Sequence, residues 1–311
     1  MAKTLMACPI CGETAVELFA KAYDKEYFTS DEEYHYALCP SCTAVYLDSP
    51  PADRLDEIYP TNYYSYGGIG ESTTFTERIK ERLDGRMLAK VLKGIPGEKL
   101  RVLDVGGGSG WLLSTVRKVD QRVVETHEVD LQAAAAPLAE AAGHVYHCMP
   151  IEEFASDEPF DLILMMSIIE HVPDPRKVMA GMAGLLSENG VLLMKTPNTA
   201  TVDARIFRHR NWGGLHCPRH FVLFTEPGLD KLGSQVGLAK SDSYYTQGAP
   251  QWAISVMAWL SDRGWIKVTP QKPAYMNWVY EPLTAFFAGV DFLRARFAPT
   301  AQMMISFKRA R

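Results

Sequence analysis

The 311-residue sequence has no long basic tract, no long uncharged apolar run and only six cysteines, and each shortage narrows what the chain can do. With 32 Lys and Arg against 37 Asp and Glu, for a net charge of -5, it offers no electrostatic footprint for a nucleic-acid backbone. The bias is sharpest in residues 1–48, where three lysines stand against eight carboxylates. No run of about 18 uncharged apolar residues occurs, so no membrane span is expected. The opening MAKTLMACPIC places cysteines ahead of any adequate apolar run, which does not fit a secretory signal. The expectation is a cytoplasmic protein with reduced thiols. Internal repeats are not evident.

Four of the cysteines fall in two matched pairs, Cys8-Pro-Ile-Cys11 and Cys39-Pro-Ser-Cys42, separated by 27 residues. Two C-x2-C turns at such a spacing let four thiolates converge on one tetrahedral ion, which reads as a structural zinc site with no open position for chemistry. Val16–Phe19, Tyr34–Leu38 and Ala44–Leu47 read as the short strands of a zinc ribbon over residues 1–50. A module this small cannot hold itself together by core burial alone, so the metal would supply folding energy. Residues 51–98 read as a linker, an aromatic lid in the tyrosine-rich Tyr59–Tyr66, and a helix over Thr74–Leu92. That helix carries Phe75, Ile79, Leu83, Met87 and Val91 along one face.

The stretch LRVLDVGGGSG at Leu100–Gly110 reads as a buried parallel strand running into a glycine turn and then a helix, Trp111–Val119. Such a turn brings a ligand close to main-chain amides and a helix N-terminus. A nucleoside-triphosphate loop would need Gly-Lys-Ser or Gly-Lys-Thr here, whereas Trp111 and Leu112 follow Gly110. A dinucleotide fold stays open on spacing alone. Arg122–Val129 reads as the next strand, and an acid at its end, Asp130 or the nearby Glu128, can accept both hydroxyls of a ribose. Further strands are expected at His144–Cys148, Phe160–Met166, Gly190–Lys195, Leu238–Tyr244 and Ala301–Lys308.

The D-x-G-x-G-x-G run of Asp104–Gly110, Asp130 and the segment Glu170-His171-Val172-Pro173-Asp174-Pro175 together resemble the class I S-adenosylmethionine-dependent methyltransferases. The resemblance covers about residues 75–310. It implies an α/β fold, with a Rossmann-like seven-stranded sheet behind the ribbon and a helical, aromatic insertion before the last strand, which the family usually places antiparallel at the sheet edge. The core would span 99–311, with acceptor-side insertions at about 199–224 and 244–295. By the same resemblance, Asp104, Gly106, Gly108 and Gly110 lie against the aminoacid part of the cofactor, and Asp130 and Leu131 meet the ribose. Met149, Pro150 and Ile151 stand where many members carry an adenine-binding acid, so backbone and apolar contact would hold the base. Met166, Ser167 and His171 sit at the edge where donor and acceptor meet, and Tyr64 belongs to the lid.

On the acceptor side, the W-G-G-L-x-x-P-R-H pattern of Trp212–His220 resembles a subgroup of bacterial methyltransferases that accompany sugar, lipid or natural-product assembly. His216, His220 and His171 are candidate bases, and Arg219 a candidate holder of an anionic acceptor. His209, His216 and Cys217 lack a partner carboxylate and regular spacing, which argues against a metal there. The resemblance implies methyl transfer to a small molecule, a secondary metabolite, sugar or lipid-like intermediate, and because a histidine base is at hand the expected target is a hydroxyl of an apolar or ring-containing acceptor. Alternatives are N- or C-methylation, sugar C-methylation included, and a non-catalytic scaffold that binds protein through the ribbon. The aromatic stretch Tyr244–Asp291 could cover the acceptor, form a subunit interface or touch lipid peripherally.

Overall fold

The computed structural model describes residues 5–61, 63 and 75–310. The chain opens with β1 (Glu17–Ala22), β2 (Tyr34–Leu38) and β3 (Val45–Leu47), followed by the single turn of α1 (Leu55–Ile58) and the long α2 (Phe75–Lys93). An alternating core follows: β4 (Leu100–Val105), α3 (Trp111–Val119), β5 (Val123–Asp130), α4 (Ala136–Ala141), β6 (Val145–Cys148), β7 (Phe160–Met166), α5 (Pro175–Leu185) and β8 (Leu186–Pro197). Then come α6 (Val202–Phe207), β9 (Val222–Leu223), α7 (Glu226–Gln235), β10 (Leu238–Thr246), α8 (Ala249–Ser261), α9 (Tyr280–Arg294) and β11 (Gln302–Arg309).

The large sheet has seven strands in the order β10-β11-β8-β7-β4-β5-β6. β6, β5, β4, β7 and β8 run parallel; β11 is antiparallel to β8, and β10, antiparallel to β11, returns to the common direction. The seven-stranded α/β architecture is the expected one. The last strand is antiparallel but not at the edge, since β11 lies between β8 and β10. Burial explains the order. Gln302–Phe307 is buried without a break, which suits an interior strand, whereas β10 is largely solvent-facing.

Two other expectations shift for local reasons. The alanine-rich stretch after Asp130 reads as a helix over Leu131–Ala142, yet it becomes α-helical only at Ala136, after a short 3-10 turn, because Pro137 is tolerated only in a first helical turn. In α2, Leu83 is exposed, and Leu88 and Leu92, four apart, are the fully buried pair. A strict four-residue stripe drifts around a 3.6-residue helix, so the apolar face turns with it.

The small sheet, β1-β2-β3-β9, joins the front of the chain to its core. Its fourth strand comes from the acceptor-side segment: Val45 pairs with Leu223 and Tyr46 with Val222. One continuous apolar cluster runs from Cys8, Ile10 and Tyr36 to Val105, Ile163 and Met194 of the large sheet. The aromatic insertion packs on the same region, with Phe28 against the cluster of Met257, Val268 and Ala274.

Candidate active site

Asp104 stands one residue before the end of β4, which hands the chain to the glycine turn. Gly106 and Gly108 have φ of +73° and +61°, in the left-handed region that only glycine occupies without strain. A Cβ at Gly106 would lie 2.2 Å from Ile168 Cδ1, so the turn is pressed against the segment that follows β7. At Gly108 nothing stands within 4 Å of a Cβ position, and the turn opens there. Beneath it, His144 is fixed by Thr126 Oγ1 at 2.8 Å and Ser114 Oγ at 3.0 Å, and leaves no room for a side chain at Gly110.

Three carboxylates surround this turn and occupy different environments. Asp130, half-buried at the end of β5, accepts from the Gly108 amide at 3.0 Å and the Gln132 amide at 2.8 Å. Glu128 is fully buried and accepts from the Gly107 amide at 2.7 Å; its Oε2 has no partner among the described residues. Both oxygens of buried Asp104 are likewise without a hydrogen-bond partner there. Burial, and then the facing carboxylates, push Asp104 up to about 7 and Glu128 up to about 11. Asp130 is therefore the acid presented at the opening, while Asp104 and Glu128 lie buried under the turn and Glu128 keeps its proton there.

Around the cradle, Leu131 is 62% exposed beside Asp130. Met149, Pro150 and Ile151 are half-buried beyond β6, with the Met149 amide donating to the Asp130 carbonyl at 3.2 Å. Met166 closes β7, and Ser167 takes a φ of +61° while its amide donates to the Lys195 carbonyl at 2.7 Å. Tyr64 lies outside the described residues.

The same post-β7 segment leads into a cluster of histidines and tyrosines. The rings of His171 and His220 are 4.7 Å apart, those of His216 and His220 5.0 Å, and those of His171 and His216 6.3 Å. His220 Nδ1 lies 2.8 Å from the Gly214 carbonyl, which can only accept, so Nδ1 carries the proton and Nε2 the lone pair. His171 Nδ1 lies 3.1 Å from the Arg219 carbonyl and 2.8 Å from the Tyr59 hydroxyl. Burial, and then the neighbouring imidazoles, hold both rings neutral, with His171 lowered to about 3 and His220 well below its usual value. Glu170 is fully buried and accepts from Thr196 Oγ1 at 2.9 Å; burial raises it to about 7.

His216 sits in a left-handed conformation, φ +38°, inside a three-residue chain of contacts. Its Nδ1 donates to Glu26 Oε1 at 2.9 Å, and the Tyr63 hydroxyl lies 3.1 Å from its Nε2. Arg219 is completely buried and donates through Nη2 to Asp24 Oδ2 at 2.8 Å, with its guanidinium 4.5 Å from the centre of the Tyr27 ring. Burial alone would raise Asp24, but the charge and hydrogen bonds of Arg219 outweigh it and leave the carboxyl below its usual range. The structure thus brings His171, His216, His220 and Arg219 together. It also adds Asp24, Glu26 and Tyr27 from the front of the chain, residues that sequence reasoning missed. No spacing rule links position 26 to position 216, and the only signal was an Asp-Lys-Glu triplet between aromatic residues. His209 is exposed and paired with Arg208, away from this cluster.

At the other end of the small sheet, Cys8, Cys11, Cys39 and Cys42 place one sulfur each within 4.8 Å of one another. Cys8 and Cys42 are 3.5 Å apart at Sγ, as are Cys11 and Cys39, and none is in a disulfide. Four thiolates at Zn–S distances of about 2.3 Å would stand roughly 3.8 Å apart, so the set fits a tetrahedral zinc.

Comparison with known proteins agrees with this geometry. Residues 75–241 match the family described as "Methyltransferase domain", more than half of the chain, and the chain belongs to that family. Ubiquinone biosynthesis O-methyltransferase of Bradyrhizobium sp. (strain ORS 278) is 34% identical over 178 residues, covering 54% of this chain and 70% of that protein. The protein of the same description from Pasteurella multocida (strain Pm70) is 35% identical over 125 residues, covering 36% of this chain and 51% of that one. Among solved structures, Burkholderia thailandensis 1,6-didemethyltoxoflavin-N1-methyltransferase, with bound 1,6-didemethyltoxoflavin and S-adenosylhomocysteine, aligns at a TM-score of 0.51. It shares 18% identity and covers 94% of this chain and 100% of its own. The protein is an S-adenosylmethionine-dependent methyltransferase. Its cradle fits that cofactor: an open glycine at Gly108, an outward acid at Asp130 and apolar Leu131, Met149 and Ile151 beside it.

Proposed function

We propose that the protein methylates a hydroxyl of a small, ring-containing or apolar acceptor. The observation that carries this is the group of three histidines, two of them held neutral, which joins His171, on the segment pressed against the glycine turn, to His216 and His220 of the acceptor loop. S-adenosylmethionine supplies an activated methyl group on a sulfonium when bound. Asp104, Gly106, Gly108 and Gly110 would cradle its aminoacid end, Asp130 and Leu131 its ribose, and Met149, Pro150, Ile151, Met166 and Ser167 its base and flank. An unprotonated Nε2 of His220 or His216 takes the acceptor proton as the oxygen becomes nucleophilic. His171, bonded to Tyr59, orients that group, and Arg219, already neutralised by Asp24, positions the loop rather than the acceptor. Tyr59 and Tyr63 supply flat apolar walls.

Two further readings belong to this proposal. Residues 1–50 would form a zinc ribbon whose metal is structural, because four thiolates leave no open position. The first curated relatives carry O-methyltransferase descriptions, which supports oxygen as the target. The test has two stages. Calorimetry with S-adenosylhomocysteine should show micromolar binding that Asp130→Ala abolishes. Methyl transfer from labelled S-adenosylmethionine to a panel of phenols, amines and activated carbon acids should then favour the phenols. Transfer only to nitrogen or carbon would remove the hydroxyl reading but leave the enzyme, whereas no cofactor binding by the folded, zinc-loaded protein would remove both.

A further inference from the structure

The aromatic insertion has a face that the active site does not use. In α9, Leu283, Thr284, Phe287 and Asp291 turn inward: Phe287 stacks on Trp252 of α8 at 4.8 Å, and Asp291 accepts from the Gly248 amide at 2.9 Å. A helix with one side docked in this way should be polar on the other. Here it is apolar. Phe286 is 64% exposed, Leu293 65% and Phe297, just past the helix end, 88%, at the i, i+7 and i+11 spacing of one face. Pro282 and Gly289 lie on the same strip, and Phe292, 55% exposed, flanks it. Trp278, two residues before the helix, is 77% exposed. Among the described residues no element covers this surface, and it lies outside the family-matched residues 75–241, so it is not part of the shared methyltransferase body.

The charge around it selects the occupant. The whole chain is net -5, yet the segment 249–298 holds five basic side chains against three acidic ones. Of those three acids, Asp291 is buried and Asp262 is paired with Lys25 at 3.2 Å. Arg296 rides at 5.3 Å over the Phe292 ring at the margin of the strip, and Arg263, Lys267 and Lys272 are exposed in the connection between α8 and α9. Exposed aromatics interleaved with cations are the composition that inserts shallowly into an anionic bilayer, rings among the acyl chains and cations at the headgroups. Packing two copies through the same strip would instead bring Arg296 of each toward the other's basic margin. Among the described residues no helix is long and apolar enough to cross a membrane, so the contact would be peripheral.

We propose that the exposed face of α9, with Trp278 and Arg296, docks the protein on an anionic lipid surface. The placement joins that surface to the acceptor region: α8 carries α9 on one side and on the other supports the acceptor loop, where the Gly213 amide donates to Ser255 Oγ at 2.8 Å. The test uses the full chain and vesicles of phosphatidylcholine alone or mixed with phosphatidylglycerol. Co-sedimentation should require phosphatidylglycerol, weaken with salt, and fall about tenfold or more for Phe286→Ser combined with Phe297→Ser. Arg296→Glu should weaken binding with little change in neutral vesicles. Unchanged S-adenosylhomocysteine affinity in these variants shows that they fold, and it separates failure of this proposal from failure of the methyl-transfer reading. Wild-type protein that stays in the supernatant with anionic vesicles overturns the proposal. A dimer by light scattering that Phe286→Ser disperses, without vesicle binding, assigns the face to a second copy instead.

Discussion

Glu26 Oε1 lies 2.9 Å from His216 Nδ1 across 190 residues of sequence, so a carboxylate from the cysteine-bearing front of the chain orients an imidazole in the acceptor region. Because a carboxylate accepts, His216 keeps its proton on Nδ1 and turns Nε2 toward the Tyr63 hydroxyl. Glu26→Gln should lower kcat for methyl transfer by about tenfold to a thousandfold, the range for a misoriented general base. The KM for S-adenosylmethionine should not move, since Glu26 does not reach the glycine turn. If Glu26 acts only through His216, the double variant with His216→Gln should lose no more than His216→Gln alone. Additive losses in a steady-state double-mutant cycle would show two separate roles.

The second link between front and core is the Arg219–Asp24 pair, both side chains fully buried and 2.8 Å apart. Removing one partner leaves an uncompensated charge in the interior, which costs about 3–5 kcal/mol. Asp24→Asn or Arg219→Ala should therefore unfold at markedly lower urea concentration than wild type. Arg219→Met with Asp24→Leu should recover much of the loss, because a well-packed apolar pair needs no desolvation of charge. The sign with pH follows from the direction of the Asp24 shift. Its folded value lies below the unfolded one, so the stabilisation is complete above the unfolded carboxylate range and disappears as pH falls through the folded value. Acid unfolding of the wild type should thus begin at lower pH than that of a variant whose Asp24 lacks Arg219.

Gly106 and Gly108 separate folding from cofactor binding. Both have positive φ, but only Gly106 faces protein, 2.2 Å from Ile168 at a Cβ position. Gly106→Ala should lower thermal stability by more than the strain of a left-handed alanine, because Ile168 must move as well. Gly108→Ala adds the left-handed strain of about 1–2 kcal/mol and puts its methyl into the open cradle. It should remain folded and weaken S-adenosylhomocysteine binding by about tenfold or more, equivalent to ~1.4 kcal/mol. Equal loss of affinity in both, with equal loss of stability, would mean that the opening at Gly108 is not where the ligand lies.

Much of this architecture was legible in the chain. Alternating apolar strands and helices around Asp104–Gly110 specified a parallel sheet, because a strand buried on both faces must be continuously apolar, as LRVLDV and FDLILMM are. Thr225 reads as a cap because its hydroxyl can satisfy an orphan amide, and it does, accepting from Gly228. The paired cysteines carried their own spacing rule. What the sequence did not reveal depends on contacts between distant segments: β9 completing the small sheet, Asp24 and Glu26 reaching the acceptor loop, and Glu128 turning under the glycines while Asp130 turns out. Two carboxylates at positions two apart share a strand face, so periodicity cannot rank them; the glycine amides do, by taking Glu128 at Gly107 and Asp130 at Gly108.

Glu128 makes a pH prediction of opposite sign to that of Asp24. Burial and then Asp104 hold its folded value up at about 11, far above an unfolded glutamate. Between those two values the unfolded chain has released a proton that the folded chain retains, so fewer protons are bound unfolded and stability falls as pH rises. The stabilisation is fully present below the unfolded value and is lost on the way up to the folded one. Glu128→Gln keeps an oxygen for the Gly107 amide at this position but has no proton to lose. It should match wild type near pH 4 and exceed it in melting temperature at pH 8, by several degrees in the cofactor-free protein. The contrast should shrink in Asp104→Asn, where the facing carboxyl no longer opposes ionisation. A wild-type stability that rises from pH 5 to 8 more steeply than that of Glu128→Gln would show that Glu128 is ionised in the fold, and that the cradle holds its charge by a contact the buried geometry does not supply.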